Sequence, residues 1–219
     1  MANKIYLSPA AHATDNPTKC GCGENVHCNQ YADILEKRLK ELGFEVKRGD
    51  KSKVGNDAMA SRVAEANAWG ADIYNPIHTN AGGGRYSMTM CWSDKDSIAK
   101  ANVIHKYRKC ISPHKVVVRT DLYEIKNTKM TCLYDELFFH DNAEDCTWFH
   151  NGGMEKLAEE TAQAMCELCG VKYTAPATAD ANVKELEAKV NALQSENDSL
   201  KKTIATLTNK INTAKAALS

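Results

Sequence analysis

Two histidines and two glutamates stand where the chain is predicted to leave a strand or enter a helix. His12 follows the first predicted strand, His78 closes the third, Glu136 ends the last, and Glu24 lies just before the first helix. Ligands of open α/β sheets bind beyond the carboxyl ends of the strands, so these side chains are expected to converge. Two imidazoles and one carboxylate leave zinc an open water position, and a further carboxylate can transfer protons. The set is therefore typical of a hydrolytic zinc site.

Each of these residues also has an ordinary structural explanation when taken alone. A single loop histidine is more often a surface or core residue than a ligand, and the charge of Glu24 suits the positive end of its helix. Pro76 removes a backbone donor from the third strand, which predicts that this strand is short, at an edge, or bulged before His78.

The elements that must position these residues alternate between strand and helix over residues 1–173. The predicted strands are Lys4–Ser8, Glu45–Lys47, Asp72–Ile77, Tyr86–Trp92, Val116–Arg119 and Met130–Leu137, and the predicted helices are Val26–Leu42, Asp57–Trp69, Ser97–Cys110 and Met154–Leu168. This alternation predicts a single α/β domain with a mostly parallel central sheet flanked by helices.

Four segments, in order along the chain, carry a family resemblance. They are His12 after the opening strand, Glu24 eight residues before Ala32, the sequence His78-Thr-Asn80-Ala81, and the run from Asp135-Glu136 through Asn142 to Asp145. In these segments residues 1–173 resemble the zinc-dependent N-acetylmuramoyl-L-alanine amidases of bacterial cell-wall hydrolases and phage endolysins. Many members place glycines around the first histidine, where this chain has Ala11 and Ala13.

The resemblance implies roles for these residues. It implies that His12, Glu24 and His78 bind Zn²⁺, that Glu136 is the catalytic acid/base, and that Asn80 contacts the substrate. The substrate would be peptidoglycan, cleaved at the amide bond between N-acetylmuramic acid and L-alanine. The polar start of the chain and its helical C-terminal segment, in place of a wall-binding module, suit a phage or prophage endolysin that is made in the cytoplasm and acts on the cell wall after the membrane opens. A bacterial enzyme acting at sporulation or lysis would show the same features.

Two other functions remain open from the sequence. One is a zinc peptidase or deacetylase acting on another cell-wall bond, since the same metal chemistry serves those reactions. The other is a catalytically silent wall-binding dimer. The presence of Glu136 argues against the silent protein, because inactive relatives would be expected to lose that residue first.

Nine cysteines are many for 219 residues, but their number is odd and their spacing shows no disulfide framework. We therefore expect mostly free thiols in a reducing environment. Cys20, Cys22 and Cys28 with His27 offer an alternative, a separate structural zinc site. The simpler interpretation is that they are loop residues. Cys166 and Cys169 end a helix, where no dipole lowers a thiol pKa, so a redox role there is not favoured.

The chain after residue 173 changes in composition. Residues 174–181 contain no bulky apolar side chain and are predicted to form a linker, whereas residues 182–219 carry a heptad seam. Leu193 and Leu200 occupy d positions on either side of Asn197 at an a position. This pattern favours a parallel coiled-coil homodimer, because two facing asparagines pair only in the correct register and strand number.

The composition also excludes some partners. Twenty-eight basic residues cancel twenty-eight acidic ones, so the chain lacks the positive charge that binding of nucleic acid phosphates needs. No run of about 18 apolar residues occurs, which argues against membrane insertion. The polar first residues do not form a signal-peptide core, and we expect cytoplasmic synthesis.

Overall fold

The computed structural model describes residues 3–176 and 179–217, apart from the side chains of residues 179–186, 209 and 216–217. It divides the chain into two units, Met1–Tyr173 and Thr174–Ser219. The described elements of the first unit are β1 (Lys4–Pro9), α1 (Glu24–Glu41), β2 (Glu45–Arg48), α2 (Gly55–Trp69), β3 (Ile73–Asn80), β4 (Ser87–Cys91), α3 (Lys95–Tyr107), β5 (His114–Val118), α4 (Tyr123–Asn127), β6 (Thr131–Cys132), β7 (Tyr134–Phe139), α5 (Ala143–Trp148), a π turn (Phe149–Gly153) and α6 (Met154–Cys169).

The strands form one mixed sheet in the order β2-β1-β3-β7-β4-β5, with β6 also paired to β3. All the pairings are parallel except the one between β4 and β7. Because β1, β3 and β7 run in the same direction, their carboxyl ends lie at one edge of the sheet. The prediction of a mostly parallel sheet flanked by helices is confirmed.

Alternation along β1 explains why both faces of the sheet are covered. Ile5 and Leu7 belong to a core that also contains buried residues of α1, α3 and α6, whereas Tyr6 belongs to a second core with residues of α2 and α4. Successive strand side chains point to opposite faces, so the apolar run of β1 requires a helical layer on each side. Gly70 and Gly170 end α2 and α6 in the left-handed conformation, as glycines past those helices predict.

The prediction for the strand that contains Pro76 was wrong in part. β3 is a central strand eight residues long, and its irregularity lies between His78 and Asn80 rather than before His78. Proline is tolerated because the neighbouring ladder is interrupted there, between β6 and β7. The side chain of Asn75 donates to the carbonyl of Leu133 in that gap at 2.7 Å.

Three further features of the secondary structure differ from prediction. Glu24 is the first residue of α1 rather than a residue before it, and Gly23 precedes the helix in an extended conformation. The single predicted strand over Met130–Leu137 is divided into β6 and β7. The short helices α4 and α5 were not predicted, because five or six residues show no helical periodicity.

The second unit contains one long helix, α7 (Ala179–Ala217). It begins inside the segment predicted as a linker, since Ala179 and Ala181 are strong helix formers. The described seam residues from Val190 to Ile211 are exposed, with Leu193 65% and Ile204 62% accessible. The side chains of Val183, Leu186 and Leu218, which the heptad pattern includes, lie outside the described residues. No helix within the described ranges is long and apolar enough to cross a membrane.

Candidate metal centre and active site

Three elements deliver the candidate metal ligands to the carboxyl edge of the sheet. His12 lies in the loop after β1, Glu24 begins α1, and His78 lies in β3. The side chain of Asn25 holds the loop, accepting from the His12 N–H at 2.8 Å and donating to the His12 carbonyl at 3.0 Å. The start of α1 therefore fixes the backbone of one candidate ligand and supplies another.

The ligand atoms of His12, Glu24 and His78 all lie within 4.8 Å of one another. His12 Nε2 is 3.1 Å from Glu24 Oε2, and His78 Nδ1 is 3.2 Å from Glu24 Oε1. Two ligand atoms that each lie about 2.0–2.1 Å from a tetrahedral zinc are separated by about 3.3 Å. His12 Nε2 is shielded from water, and its contact with Glu24 Oε2 does not have the geometry of a hydrogen bond, so a bound cation would satisfy this nitrogen. Two imidazoles and one carboxylate fit zinc.

Glu24 is buried and surrounded by donors. Asn16 Nδ2 donates to Oε2 at 2.7 Å, and the Thr79 N–H donates to Oε1 at 3.0 Å. Burial acts to raise the pKa of Glu24, but the contacts with His12, His78 and the Thr79 N–H outweigh it, so the pKa lies well below its usual range. Glu24 is therefore ionised, as a metal ligand must be.

His78 is oriented by its neighbours in the sheet. Its ring stacks on Tyr134 with centroids 4.9 Å apart and planes 18° from parallel. Burial acts to lower the pKa of His78, but the hydrogen bond to Glu24 and the charge of Glu136 raise it above its usual value. These carboxylates favour a positive charge at the position of the ring, whether it comes from a proton or from a cation.

Glu136 lies beside His78, because the two residues are partners in the β3–β7 ladder. Its Oε2 is shielded from water and has no hydrogen-bond partner. Burial raises the pKa of Glu136 to about 7, with the positive charge on His78 opposing the shift and the negative charge on Glu24 adding to it. A carboxyl with a pKa near neutrality can both take up and release a proton, which suits an acid/base in hydrolysis.

A cleft of about 150 Å³ adjoins this centre. Its lining includes His12 and His78 together with Ser8, Met59 and Arg62. A larger cavity of about 340 Å³, lined by Trp92 and by Met130 to Cys132 among others, lies at the opposite end of the sheet and contains none of the candidate site residues. The smaller cleft is therefore the one that can place a substrate against the candidate metal ligands.

Asn80, the candidate substrate contact, ends β3 two residues after His78. Its side-chain oxygen accepts from the backbone N–H of Ala81 at 2.8 Å, and its carbonyl accepts from the His140 N–H at 2.8 Å. The residue shapes the turn that leaves β3 at the rim of the centre, and its amide N–H groups are not needed for that turn.

Several supporting residues were not predicted as part of the site. Asn16 and Thr79 donate to Glu24, Asn25 holds the His12 loop, and Tyr134 stacks on His78. Thr79 is next to His78, Tyr134 is two residues before Glu136, and Asn25 follows Glu24. Proximity in sequence to a candidate site residue was therefore a usable signal for these three. Asn16 lies in a loop, and its contact depends on how that loop folds back.

The prediction of mostly free thiols is confirmed for seven of the nine cysteines. Cys20 and Cys146 form a disulfide, although seven other cysteines are free. The two residues are 126 positions apart, so only the fold brings the loop before α1 against α5. The alternative zinc site also needs revision, because Cys28 is fully buried in the core between the sheet and α1. Cys22 instead contacts His27 and His150.

Comparison with known proteins gives a family match for the first unit. The Amidase_3 family model, described as N-acetylmuramoyl-L-alanine amidase, matches residues 7–167. No curated protein gives a significant sequence match.

Solved structures similar to this chain include three amidases or endolysins. The catalytic domain of CwlV, an N-acetylmuramoyl-L-alanine amidase from Bacillus (Paenibacillus) polymyxa, has a TM-score of 0.68 at 21% identity, covering 78% of this chain and 99% of that one. The catalytic domain of the CD27L endolysin targeting Clostridia difficile has a TM-score of 0.67 at 20% identity, covering 75% and 97%. An N-acetylmuramoyl-L-alanine amidase from Clostridium difficile 630 has a TM-score of 0.68 at 18% identity, covering 78% and 99%. These likenesses establish the fold, and the family match over most of the first unit establishes that the chain belongs to the Amidase_3 family of N-acetylmuramoyl-L-alanine amidases.

Proposed function

We propose that this chain is a zinc-dependent amidase that hydrolyses the bond between N-acetylmuramic acid and L-alanine in peptidoglycan. The observation that carries the proposal is the convergence of His12, Glu24 and His78, with ligand atoms within 4.8 Å of one another. The water-shielded, unpartnered carboxyl of Glu136 on the neighbouring strand supports it, because hydrolysis needs a proton acceptor at that place. Family membership supplies the substrate class.

His12, Glu24 and His78 would hold the metal, with Glu24 as the anionic ligand. Zinc, when bound, would activate water and polarise the amide carbonyl. Glu136 takes the proton from the attacking water, since its pKa near 7 leaves a large fraction ionised at neutral pH. As the carbon–nitrogen bond breaks, Glu136 returns that proton to the departing nitrogen of L-alanine. The proton balance then closes, and the carboxyl is ready for the next cycle.

The cleft beside the centre would receive the muramoyl side of the substrate or the peptide stem. Ala11 and Ala13 line it on either side of His12, so small methyl groups occupy the position where many family members have glycine. Asn80 would contribute a hydrogen bond to the substrate from the rim, since its amide nitrogen is not used by the turn that it forms.

End-group analysis of digested peptidoglycan tests the reaction. The full chain loaded with zinc is mixed with purified cell walls, and new amino-terminal alanine, reducing sugar, other peptide termini and released acetate are measured. We expect amino-terminal L-alanine to rise alone. New termini at other residues would indicate a peptidase, acetate would indicate a deacetylase, and unchanged walls would indicate a silent binding protein.

We also propose that α7 joins two chains in a parallel coiled-coil homodimer. The support is the heptad seam together with the exposure of its described apolar residues, which a solitary helix would leave in water. Two catalytic units on one stalk would bind a polymeric wall with raised effective concentration. Mass measurement in solution should give a dimer for the full chain and a monomer for residues 1–173. The shorter chain should cleave small fragments normally and intact walls less well.

The biological role that we propose is host lysis by an endolysin that acts on the wall once the membrane is open. Its support is the likeness in fold to the CD27L endolysin. Expression inside a susceptible cell should leave the culture intact until a membrane-permeabilising agent is added, and lysis should then follow. Lysis without the agent would argue for an exported enzyme.

A further inference from the structure

A second group of metal-binding side chains lies beside the first turn of α1. Cys20 and Cys22 come from the loop before α1, His27 from α1 itself, and His150 from the π turn after α5. We name these four residues the sulfur–imidazole cluster. The ligand atoms of Cys20, His27 and His150 all lie within 4.8 Å of one another. Cys22 Sγ lies 3.7 Å from His27 Nδ1 and 3.6 Å from His150 Nε2.

The two sulfur–nitrogen distances of Cys22 match edges of a zinc coordination tetrahedron. A sulfur about 2.3 Å and a nitrogen about 2.0–2.1 Å from a tetrahedral zinc are separated by about 3.6 Å. Cys22 shows that separation from two different imidazoles. A thiol can donate its proton to one ring and accept an N–H from the other, so hydrogen bonding needs two separate interactions of opposite direction. One cation bound to all the side chains would explain both.

The surroundings of His27 also fit a metal ligand. The ring is fully buried, and its Nε2 lies 2.8 Å from the Thr79 hydroxyl. That contact leaves Nδ1 facing the sulfur atoms, and metal-bound histidines commonly bond through the second ring nitrogen to such a partner. His150 is exposed at the surface, so its ring can adjust to bind a metal ion without repacking of the core.

We propose that the chain with reduced thiols binds a second zinc ion through Cys20, Cys22, His27 and His150. Two thiolates and two imidazoles are a closed set with no open position, which is characteristic of structural rather than catalytic zinc. Each thiol loses its proton as the sulfur–metal bond forms, and no electron is transferred. The ion would tie the loop before α1 to the turn after α5.

The disulfide between Cys20 and Cys146 determines when the proposed four-ligand zinc site can form. Cys20 cannot be a thiolate while it is paired with Cys146, so pairing and occupancy of the four-ligand site exclude one another. Substituting Cys146 by serine removes the pairing partner and leaves all four proposed ligands. That variant should therefore bind the metal without added reductant.

This site would support the candidate active site through a shared residue. Thr79 contacts His27 through its hydroxyl and donates its backbone N–H to Glu24 at 3.0 Å. Cys22 is two residues before Glu24 along the chain. The second ion would thus stabilise the segment that carries one ligand of the first, without contacting the substrate.

Cobalt binding tests the proposal, because a thiolate bound to Co²⁺ gives a sulfur-to-metal charge-transfer absorption that a centre without sulfur cannot give. Full-length Cys146→Ser protein is stripped with a chelator and titrated with Co²⁺. We expect this absorption to rise with added Co²⁺ and to level off when one Co²⁺ per chain is bound at this site. It should persist after His12→Ala, which removes a ligand of the other centre, and after the control Cys28→Ala.

The absorption should fall to half or less in Cys146→Ser/Cys22→Ser, where Cys20 is the one proposed thiolate ligand left. The apparent affinity for Co²⁺ should fall at least tenfold in that variant and in Cys146→Ser/His150→Ala. His150 is exposed, so its substitution keeps the test valid if the Cys22 variant fails to fold. Zinc analysis should find one ion fewer per chain in either variant. Absence of the absorption in Cys146→Ser, or its survival unchanged in the His150 variant, would overturn the proposal.

Discussion

The two units of the chain treat their apolar side chains in opposite ways. In the first unit Leu35 and Tyr31 of α1 are fully buried against the sheet and α6, whereas in the second unit Leu193 and Leu200 of α7 are more than half exposed. Burial of apolar surface is the main favourable contribution to folding. The first unit therefore contains what it needs to fold and to form a site, whereas the described apolar seam of the second is covered only if the proposed dimer forms.

The two units also differ in the groups that they carry, with the candidate catalytic groups in the first and the heptad seam in the second. The candidate catalytic groups are held by contacts inside the first unit, such as the Thr79 N–H on Glu24 and the ladder partnership of His78 with Glu136. The seam of α7 contains no candidate catalytic group among its described residues. Changes in one unit should consequently leave the property of the other intact.

The largest expected effect is that of Glu136→Gln. Glutamine keeps the size of the side chain but cannot accept the proton, so turnover should fall by on the order of 10²–10⁴. Zinc content, helix content and the mass in solution should not change. The matched control is Glu144→Gln, an exposed glutamate just past β7, which should retain near-normal turnover. Loss of zinc in the Glu136 variant would make that residue a ligand instead.

Two leucine substitutions compare how burial stabilises each unit. Leu35→Ala removes a fully buried side chain and should lower the free energy of unfolding by about 2–5 kcal/mol at every protein concentration. Leu200→Ala should leave the first unit unchanged but lower the melting temperature of α7 in a concentration-dependent way, because assembly is coupled to folding. Thermal unfolding at several concentrations distinguishes them. A concentration-independent effect of Leu200→Ala would argue against a coiled coil.

A pH effect is expected only in the first unit. Burial, helped by the nearby charges of Arg108, His105 and Lys109, lowers the pKa of His114 to about 3. Between about pH 6.5 and pH 3 the unfolded chain binds a proton that the folded chain does not, so stability rises with pH in that range. His114 should therefore reduce the free energy of unfolding by about 2 kcal/mol between pH 7 and pH 5.

His114→Gln isolates this contribution, because glutamine can replace the hydrogen bond with Ser87 but does not titrate. Urea unfolding at pH 7 and pH 5 should show a smaller loss of stability in the variant than in the unmodified chain. Equal losses in the two proteins would show that His114 accepts a proton without cost in the folded state.

The smallest effect is expected from Asn197→Leu. An asparagine at an a position costs stability but selects register and strand number. Its replacement should raise the melting temperature of α7 and broaden the distribution of oligomers, measured by sedimentation equilibrium. A full-length monomer at micromolar concentration would contradict the coiled coil itself. A stable trimer or tetramer before substitution would keep the coil and contradict the dimer.

The sequence predicted the sheet and its long helices well, because the spacing of apolar residues along each element reflects which of its faces is buried. Features that depend on distant segments escaped prediction. The Cys20–Cys146 disulfide needs α5 to reach the loop before α1, and the approach of His150 to His27 needs the turn after α5 to reach α1. No local pattern encodes either contact. The central position of β3 despite Pro76 likewise depends on a gap between two other strands.

The candidate ligands could be proposed from the sequence because each stands after a predicted strand or at the start of a helix. Of the residues that hold them, Asn16 looks like an ordinary loop residue in sequence, whereas the place of Asn25 directly after Glu24 was a usable signal. What joins them to the site is the path of the loop before α1, seen only in hydrogen bonds such as that from Asn16 to Glu24.

The central claim is that one zinc ion held by His12, Glu24 and His78 is required for hydrolysis. The most direct measurement is the rate of release of amino-terminal alanine from peptidoglycan by chelator-stripped Cys22→Ser protein, which lacks the second proposed site, as zinc is added back. We predict that the rate is negligible without zinc and rises in proportion to bound zinc up to one equivalent. The same protein carrying His78→Ala should stay inactive. Full activity of the stripped protein, or recovery in the His78→Ala variant, would contradict the account.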